Sequence, residues 1–159
     1  MPEADQLRPR LAESRDLPAV TDLNAAAYAK YSDRMDQPPG PVQHDYAPEI
    51  AAGQVWLVGR PPMAAIVLVP AEDYLLVNNI AVHPSAQGQG IGRQLMDFAE
   101  RQATTAGLGL LTLYTHETMV ENIAFYTRLG YRETDRRTDD GFRRVFMEKS
   151  LPHAPIDLS

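Results

Sequence analysis

A strand-like segment that runs through a glycine-rich loop into a helix constrains the fold of this chain more than any other feature. The apolar stretch at 75–82, LLVNNIAV, is typical of a strand, and from Ile91 apolar residues recur at helical spacing until Gly107. Between them lies the loop HPSAQGQG (83–90). Backbone N–H groups in such a loop, together with the positive end of the helix dipole, favour an anion. The sequence therefore predicts a strand–loop–helix unit that can bind a phosphate.

The spacing of the glycines argues against two common nucleotide-binding motifs. Gly88, Gly90 and Gly92 do not follow GxGxxG, and the loop lacks the GK[ST] ending of a P-loop. Without further context, these glycines are equally consistent with a tight turn that merely precedes a helix. A generic phosphate-binding α/β domain stays one interpretation of this segment.

Composition limits the size and the class of the protein. A chain of 159 residues with 44% hydrophobic content can bury one core, so we expect a single domain over 1–150 and a tail at 151–159 without structure of its own. There is no cysteine, which excludes disulfides, thiolate metal sites and cysteine nucleophiles. We expect no metal site.

Charge and hydropathy limit the classes of partner that this protein is expected to bind. A net charge of −6 with no basic block argues against nucleic acid and favours a cationic or amine substrate. The chain has no apolar run long enough to span a membrane, and its beginning, MPEADQLRPR, does not resemble a signal peptide. We therefore expect a cytoplasmic protein without a membrane partner.

Periodicity and turn residues predict the remaining elements. The proline-rich segment 32–49 is predicted to be a long loop. We expect strands at 7–13, 55–60, 64–70, 110–115, 132–138 and 142–151, and helices at 16–31, 46–52 and 119–129. This order indicates an α/β (α+β) protein in which the consecutive middle strands are antiparallel.

Two motifs resemble the GNAT acetyltransferase superfamily. The segment IAVHPSAQGQGIGRQLMDFAE is similar to that family's strand, Gln/Arg-x-x-Gly-x-Gly/Ala loop and helix, with Gln87, Gly90 and Gly92 at the motif positions. A later segment, NIAFYTRLGYRE, is similar to its Tyr-x-x-x-Gly-Phe/Tyr pattern through Tyr126. The resemblance covers about residues 74–149. It implies a GNAT-like fold, with a central mixed, mostly antiparallel sheet of six to seven strands flanked by about four helices.

The resemblance also implies the cosubstrate, acetyl-CoA, and the residues that would bind it. Backbone groups of Ile80, Ala81 and Val82 would pair with the pantetheine arm as another strand would. Asn122 would hydrogen-bond the coenzyme arm, or else be an exposed helical residue. Loop residues would surround the pyrophosphate, mostly through N–H groups: Gln87, Gly88, Gln89, Gly90, Gly92 and Arg93. Arg93 would add a charge-assisted contact or be a solvated residue of the first helical turn.

The expected chemistry needs an acid and a route for the amine proton. The matching tyrosine in the family protonates the departing thiolate, which would assign that role to Tyr126; its alternative is core packing. Asn78 and Asn79 stand where many relatives have a carboxylate. His116 or Glu117 could act as the base, directly or through water, and a water chain needs no single base.

The sequence thus predicts an N-acetyltransferase that moves an acetyl group from acetyl-CoA to a primary amine by direct attack in a ternary complex. A non-catalytic CoA-binding sensor of the same fold is the alternative. The acceptor would be a small-molecule or peptide amine, and the segment Gln37–Tyr46, which we call the substrate lip, is expected to border its cleft. Relatives are often dimers, so a homodimer is compatible with the resemblance.

Overall fold

The computed structural model describes residues 8–152. Leu7, the first residue of the strand expected at 7–13, and residues 153–159 of the expected tail lie outside this range. The described residues form seven strands: β1 (Arg10–Leu11), β2 (Val55–Val58), β3 (Ala64–Pro70), β4 (Leu75–Val82), β5 (Leu110–His116), β6 (Arg132–Asp139) and β7 (Phe142–Ser150). They also form five α-helices: α1 (Leu17–Tyr28), α2 (Gly40–Gln43), α3 (Ala47–Ala51), α4 (Ile91–Thr105) and α5 (Val120–Arg128).

The strands form one sheet in the order β1-β2-β3-β4-β5-β7-β6. Strands β4 and β5 pair in parallel, whereas β1–β2, β2–β3, β5–β7 and β6–β7 are antiparallel. The mixed, mostly antiparallel sheet confirms the fold class expected from the sequence. Within the described range, residues 8–69 with 78–98 make one compact unit, and residues 70–77 with 99–152 make a second.

The first unit has an apolar core between its helices and its strands. Residues 64–68 of β3 are buried without alternation, which is the pattern of a strand covered on both faces. Helix α1 begins with Pro18 in its first turn, where a missing N–H costs nothing, and buries Val20, Leu23 and Ala27 at helical spacing. The indole of Trp56 packs edge-on against Phe98, with ring centroids 4.9 Å apart.

The second unit is built on the antiparallel strands β5 and β7. Their register runs from Leu110 opposite Ser150 to His116 opposite Arg144, and β5 buries every second residue. Strand β6 pairs with β7 through a register shift between Glu133 and Asp135 and is exposed along nearly its whole length. The strands predicted at 132–138 and 142–151 are confirmed as β6 and β7, which a turn at residues 140–141 connects.

The segment 32–49 is more ordered than the predicted long loop. A 3-10 helix covers Ala29–Arg34, and α2 and the start of α3 lie within or beside the segment. The loop prediction was wrong for residues 40–43, because Pro41 stands in the first turn of α2. The helix predicted at 46–52 is confirmed as α3, which has Pro48 in its first turn. In that position proline does not interrupt a helix.

Candidate functional site

The glycine-rich loop leaves an open, exposed backbone surface at the start of α4. Gly88 and Gly90 have φ values of +82° and +81°, a left-handed conformation that favours glycine. A Cβ added to either would meet no atom within 4 Å. The Gly90 carbonyl accepts the N–H of Gln94 at 3.0 Å, so Gly90 caps α4 and the first N–H groups of this helix have no acceptor within it. The arrangement can bind an anion.

A side chain of the loop forms a hydrogen bond to the end of β4. Gln87 donates from Nε2 to the carbonyl of Val82 at 3.1 Å. Between them, the turn Pro84–Ala86 is closed by His83, whose Nδ1 accepts the N–H of Ser85 at 3.1 Å. Side chains of this chain therefore fix the path of the loop before any ligand is present. Gln87 and Arg93 are exposed.

Two of the carbonyls expected to face the coenzyme already accept a hydrogen bond. The Ile80 carbonyl accepts from the hydroxyl of Tyr28 at 2.8 Å, and the Val82 carbonyl accepts from Gln87. Each carbonyl oxygen has a second lone pair, so a ligand N–H can still be accommodated. Ala81, between them, is buried.

Asn79 is the centre of a buried polar network. Its side chain is 5% exposed, and its Nδ2 donates to Asn24 Oδ1 at 2.6 Å and to the Tyr46 hydroxyl at 3.1 Å. Its Oδ1 lies 3.0 Å from the Tyr28 hydroxyl, which shares its single hydrogen between this oxygen and the Ile80 carbonyl. The amide thus uses both of its hydrogens and its oxygen inside the protein. Asn79 does not face the solvent, whereas Asn78 is half-buried.

His44 of the substrate lip pairs with a carboxylate in α3, a contact that the sequence did not predict. His44 Nε2 lies 2.6 Å from Glu49 Oε1, and the His44 ring packs edge-on against Tyr46 with centroids 4.7 Å apart. The Tyr46 hydroxyl donates to the Pro41 carbonyl at 3.0 Å. No sequence period links residues 44 and 49, because His44 is extended while Glu49 is helical.

In the second unit, Tyr126 is buried on α5 at 5% exposure. Its ring lies 5.3 Å from that of Phe125 and 5.9 Å from that of Tyr131, measured between centroids. Asn122 is half-buried, one turn earlier, and donates to the sulfur of Met119 at 3.7 Å. The phenol ring of Tyr126 thus lies beside two other aromatic rings.

His116 and Glu117 follow directly from β5. His116 Nδ1 accepts the N–H of Thr118 at 3.2 Å and lies 2.8 Å from its Oγ1. Burial lowers the pKa of His116; Arg143 lowers it further, while Glu117 opposes the decrease. The neutral form of the ring is therefore favoured. Glu117 is ion-paired with Arg143 at 3.1 Å.

Neither a metal site nor a membrane span is found among the residues that the structure describes. Residues 8–152 contain no cluster of three or more histidine, aspartate or glutamate side chains that could hold a metal ion. No helix in the same range has the length and apolarity to cross a bilayer.

Comparisons with known proteins agree with this geometry. The family model described as an acetyltransferase (GNAT) domain matches residues 51–133. N-alpha-acetyltransferase 80 of Mus musculus is 32% identical over 90 residues, which cover 51% of this chain and 27% of that relative's length.

Two solved structures share the fold over nearly the whole chain. The PaiA N-acetyltransferase of Thermoplasma acidophilum in complex with coenzyme A has a TM-score of 0.73 at 15% identity and covers 91% of this chain and 98% of its own. The ribosomal-protein-S18-alanine N-acetyltransferase of Escherichia coli has a TM-score of 0.71 at 22% identity, with coverage of 96% and 98%.

Proposed function

The chain belongs to the GNAT acetyltransferase family, and from this premise we propose that it transfers an acetyl group from acetyl-CoA to a primary amine in a ternary complex. Acetyl-CoA-dependent acetyl transfer is the general activity of the family, so the chain is an acyltransferase. The direct mechanism and the acceptor are our proposal. The predicted cytoplasmic location and homodimer stay predictions.

The observation that carries this proposal is the exposed glycine loop at the start of α4. Its two left-handed glycines and the free amides of the helix offer N–H groups to an anion, and the pyrophosphate of acetyl-CoA is such an anion. We assign to it the loop residues Gln87, Gly88, Gln89, Gly90, Gly92 and Arg93. The backbone of Ile80, Ala81 and Val82 would pair with the pantetheine arm, and Asn122 would contact that arm.

The reaction needs no covalent enzyme intermediate. The amine nitrogen attacks the thioester carbon, the C–S bond breaks, and the departing sulfur takes a proton from the hydroxyl of Tyr126. The proton that the nitrogen loses as it becomes an amide restores the Tyr126 hydroxyl. A tyrosine hydroxyl is ordinarily protonated at neutral pH and can donate to a developing anion. The absence of cysteine fits direct transfer, since no thiol is present to carry an acetyl group.

The acceptor class is narrowed by charge and by the relatives. A net charge of −6 favours a cationic amine. By their names, the Mus musculus relative is an N-alpha-acetyltransferase and the Escherichia coli structure acts on an alanine of a ribosomal protein. Peptides with a free N-terminus are therefore the first acceptors to test, beside polyamines and amino acids.

The proposal is tested by incubating the protein with acetyl-CoA and each amine. Free thiol is followed with a colorimetric reagent, and the acetylated product is identified by mass spectrometry. We expect thiol release that depends on one class of amine. Binding of CoA in a calorimeter without amine-dependent thiol release would instead identify a binding protein.

Tyr126→Phe separates chemistry from binding in the same assay. Loss of the proton donor should lower kcat by about 10²-fold, while CoA affinity stays the same because the loop is untouched. An unchanged kcat removes Tyr126 from the mechanism.

A further inference from the structure

The hydrogen bonds of the described histidines fix which ring nitrogen carries the proton. In His83 and His116, Nδ1 accepts a backbone N–H, from Ser85 at 3.1 Å and from Thr118 at 3.2 Å. A backbone N–H can only donate, so Nδ1 is unprotonated and the neutral ring carries its proton on Nε2. Each of these two rings therefore offers a donor at Nε2, and its basic nitrogen is already in use.

His44 has the opposite arrangement. Its Nε2 lies 2.6 Å from Glu49 Oε1, and a carboxylate can only accept, so Nε2 carries the proton of the neutral ring. The lone pair that can take a proton is then on Nδ1. An imidazole whose tautomer is set by a carboxylate in this way is the arrangement of a general base.

Glu49 is suited to hold that ring. Its side chain is 15% exposed, and its Oε2 is buried with no donor to it among residues 8–152. Its carboxylate therefore has His44 as its hydrogen-bonded partner, and this contact orients the ring. Contact with the Tyr46 ring at 4.7 Å fixes the ring from a second side.

The pair is also attached to the strand that would carry the coenzyme. Two residues after His44, the Tyr46 hydroxyl accepts a hydrogen bond from Asn79, and Asn79 directly precedes Ile80 in β4. The His44 side chain is 43% exposed, so an amine in solution can reach it.

We propose that His44 is the general base of the acetyl transfer and that Glu49 is its positioning residue. Nδ1 takes a proton from the acceptor ammonium, and the amine nitrogen then forms its bond to the thioester carbon as the C–S bond breaks. The thiolate takes a proton from the Tyr126 hydroxyl, and the phenolate is reprotonated by the second proton that the nitrogen loses as it becomes an amide. His44 then releases its proton to water. This inference deepens the proposed function and rests on it.

Two carboxylates lie beside His44 in the described part of the chain. Glu49 faces it from α3, and Asp45 is its neighbour in the chain, with Oδ1 accepting the N–H of Ala47 at 3.0 Å. The Tyr46 hydroxyl is occupied by Pro41 and Asn79.

The test uses acetyl-CoA and the best amine from the acceptor screen. In His44→Gln, the side-chain amide can still donate to Glu49 but cannot take a proton, so kcat should fall about 10²-fold while CoA affinity stays the same. The acid limb of the pH profile of kcat/KM should disappear. Added imidazole should restore activity to His44→Ala, which a purely structural role of His44 does not predict. Glu49→Gln should lower kcat by less and keep the acid limb.

His116→Gln is measured alongside, because the sequence had placed His116 among the candidate bases. Loss of the acid limb in that variant, with the limb retained in His44→Gln, overturns the proposal, as does an unchanged kcat in His44→Gln. If His44→Gln does not fold, imidazole rescue of His44→Ala and the pH profile of Glu49→Gln decide. A wild-type protein that acetylates no amine overturns the proposed function itself. An active wild-type protein with an equally active His44→Gln variant overturns only the role of His44.

Discussion

The side-chain amide of Asn79 donates a hydrogen bond to the hydroxyl of Tyr46 at 3.1 Å, although 33 residues separate them in the chain. The same nitrogen donates to Asn24 at 2.6 Å. The substrate lip is thereby fixed to β4 through a buried amide whose polar groups are all in use. The resemblance places Asn78 and Asn79 where many relatives of the family have a carboxylate; in this chain the Asn79 amide stabilises the structure through its hydrogen bonds.

Asn79→Asp should lower the free energy of unfolding by about 3 kcal/mol or more. The substitution replaces two donated hydrogen bonds with a carboxylate oxygen that faces the Asn24 oxygen in a buried site. Urea denaturation at pH 7 measures the change. Asn78→Asp, at the half-buried neighbouring position, is the matched control and should cost much less. Equal losses in the two variants would contradict the assignment of Asn79 to the network.

The same substitution, tyrosine to phenylalanine, should have opposite effects at two buried positions. The Tyr131 hydroxyl is buried without a hydrogen-bond partner in the described part of the chain, and burial raises its pKa. Tyr131→Phe removes an unpaired polar atom and should leave stability unchanged or raise it by about 1 kcal/mol. Tyr46→Phe should lower it by about 1–3 kcal/mol, because Asn79 and Pro41 each lose a partner. Similar losses in guanidinium denaturation would show that Tyr131 has a partner after all.

Asp16→Asn should make stability less dependent on pH. Burial alone would raise the pKa of Asp16, but the N–H of Glu13 at 2.7 Å and Arg10 at 3.3 Å lower it further than burial raises it. A carboxyl with a lowered folded pKa stabilises fully above its unfolded value, 3.8, and loses that contribution as pH falls through the folded value. The variant should therefore be less stable by about 1 kcal/mol at pH 7, with no difference near pH 2. A constant difference across thermal melts at both pH values would exclude this linkage.

The elements that could be predicted are those whose signals are local. The change of period at Ile91, the stop at Gly107 and the turn before Gly141 gave α4 and the β6–β7 pair correctly. The loop predicted at 32–49 contains the helix α2, because Pro41 lies in a first helical turn, where proline does not interrupt a helix.

For the candidate site, the motif identified the glycine loop. It did not predict the side-chain hydrogen bonds that position this loop and the substrate lip. The Asn79 network joins residues 33 and 55 positions apart, and no local pattern records such a pairing. The His44–Glu49 pair spans a change from extended to helical backbone, so neither strand nor helix spacing predicts it. Side-chain pairing across the fold had to be seen in the structure.

Gly88→Ala and Gly90→Ala should weaken CoA binding by about 10-fold or more, since a methyl group on the open face of the loop would keep the N–H groups from a phosphate. Gly107→Ala is the matched control. Gly107 follows α4 with a φ of +75°, and, as at Gly88 and Gly90, an added Cβ would meet no atom within 4 Å. All three variants should lose about 1 kcal/mol of stability from the same left-handed backbone. Titration calorimetry with CoA then separates binding from strain, and the loop assignment fails if Gly90→Ala and Gly107→Ala bind CoA equally well.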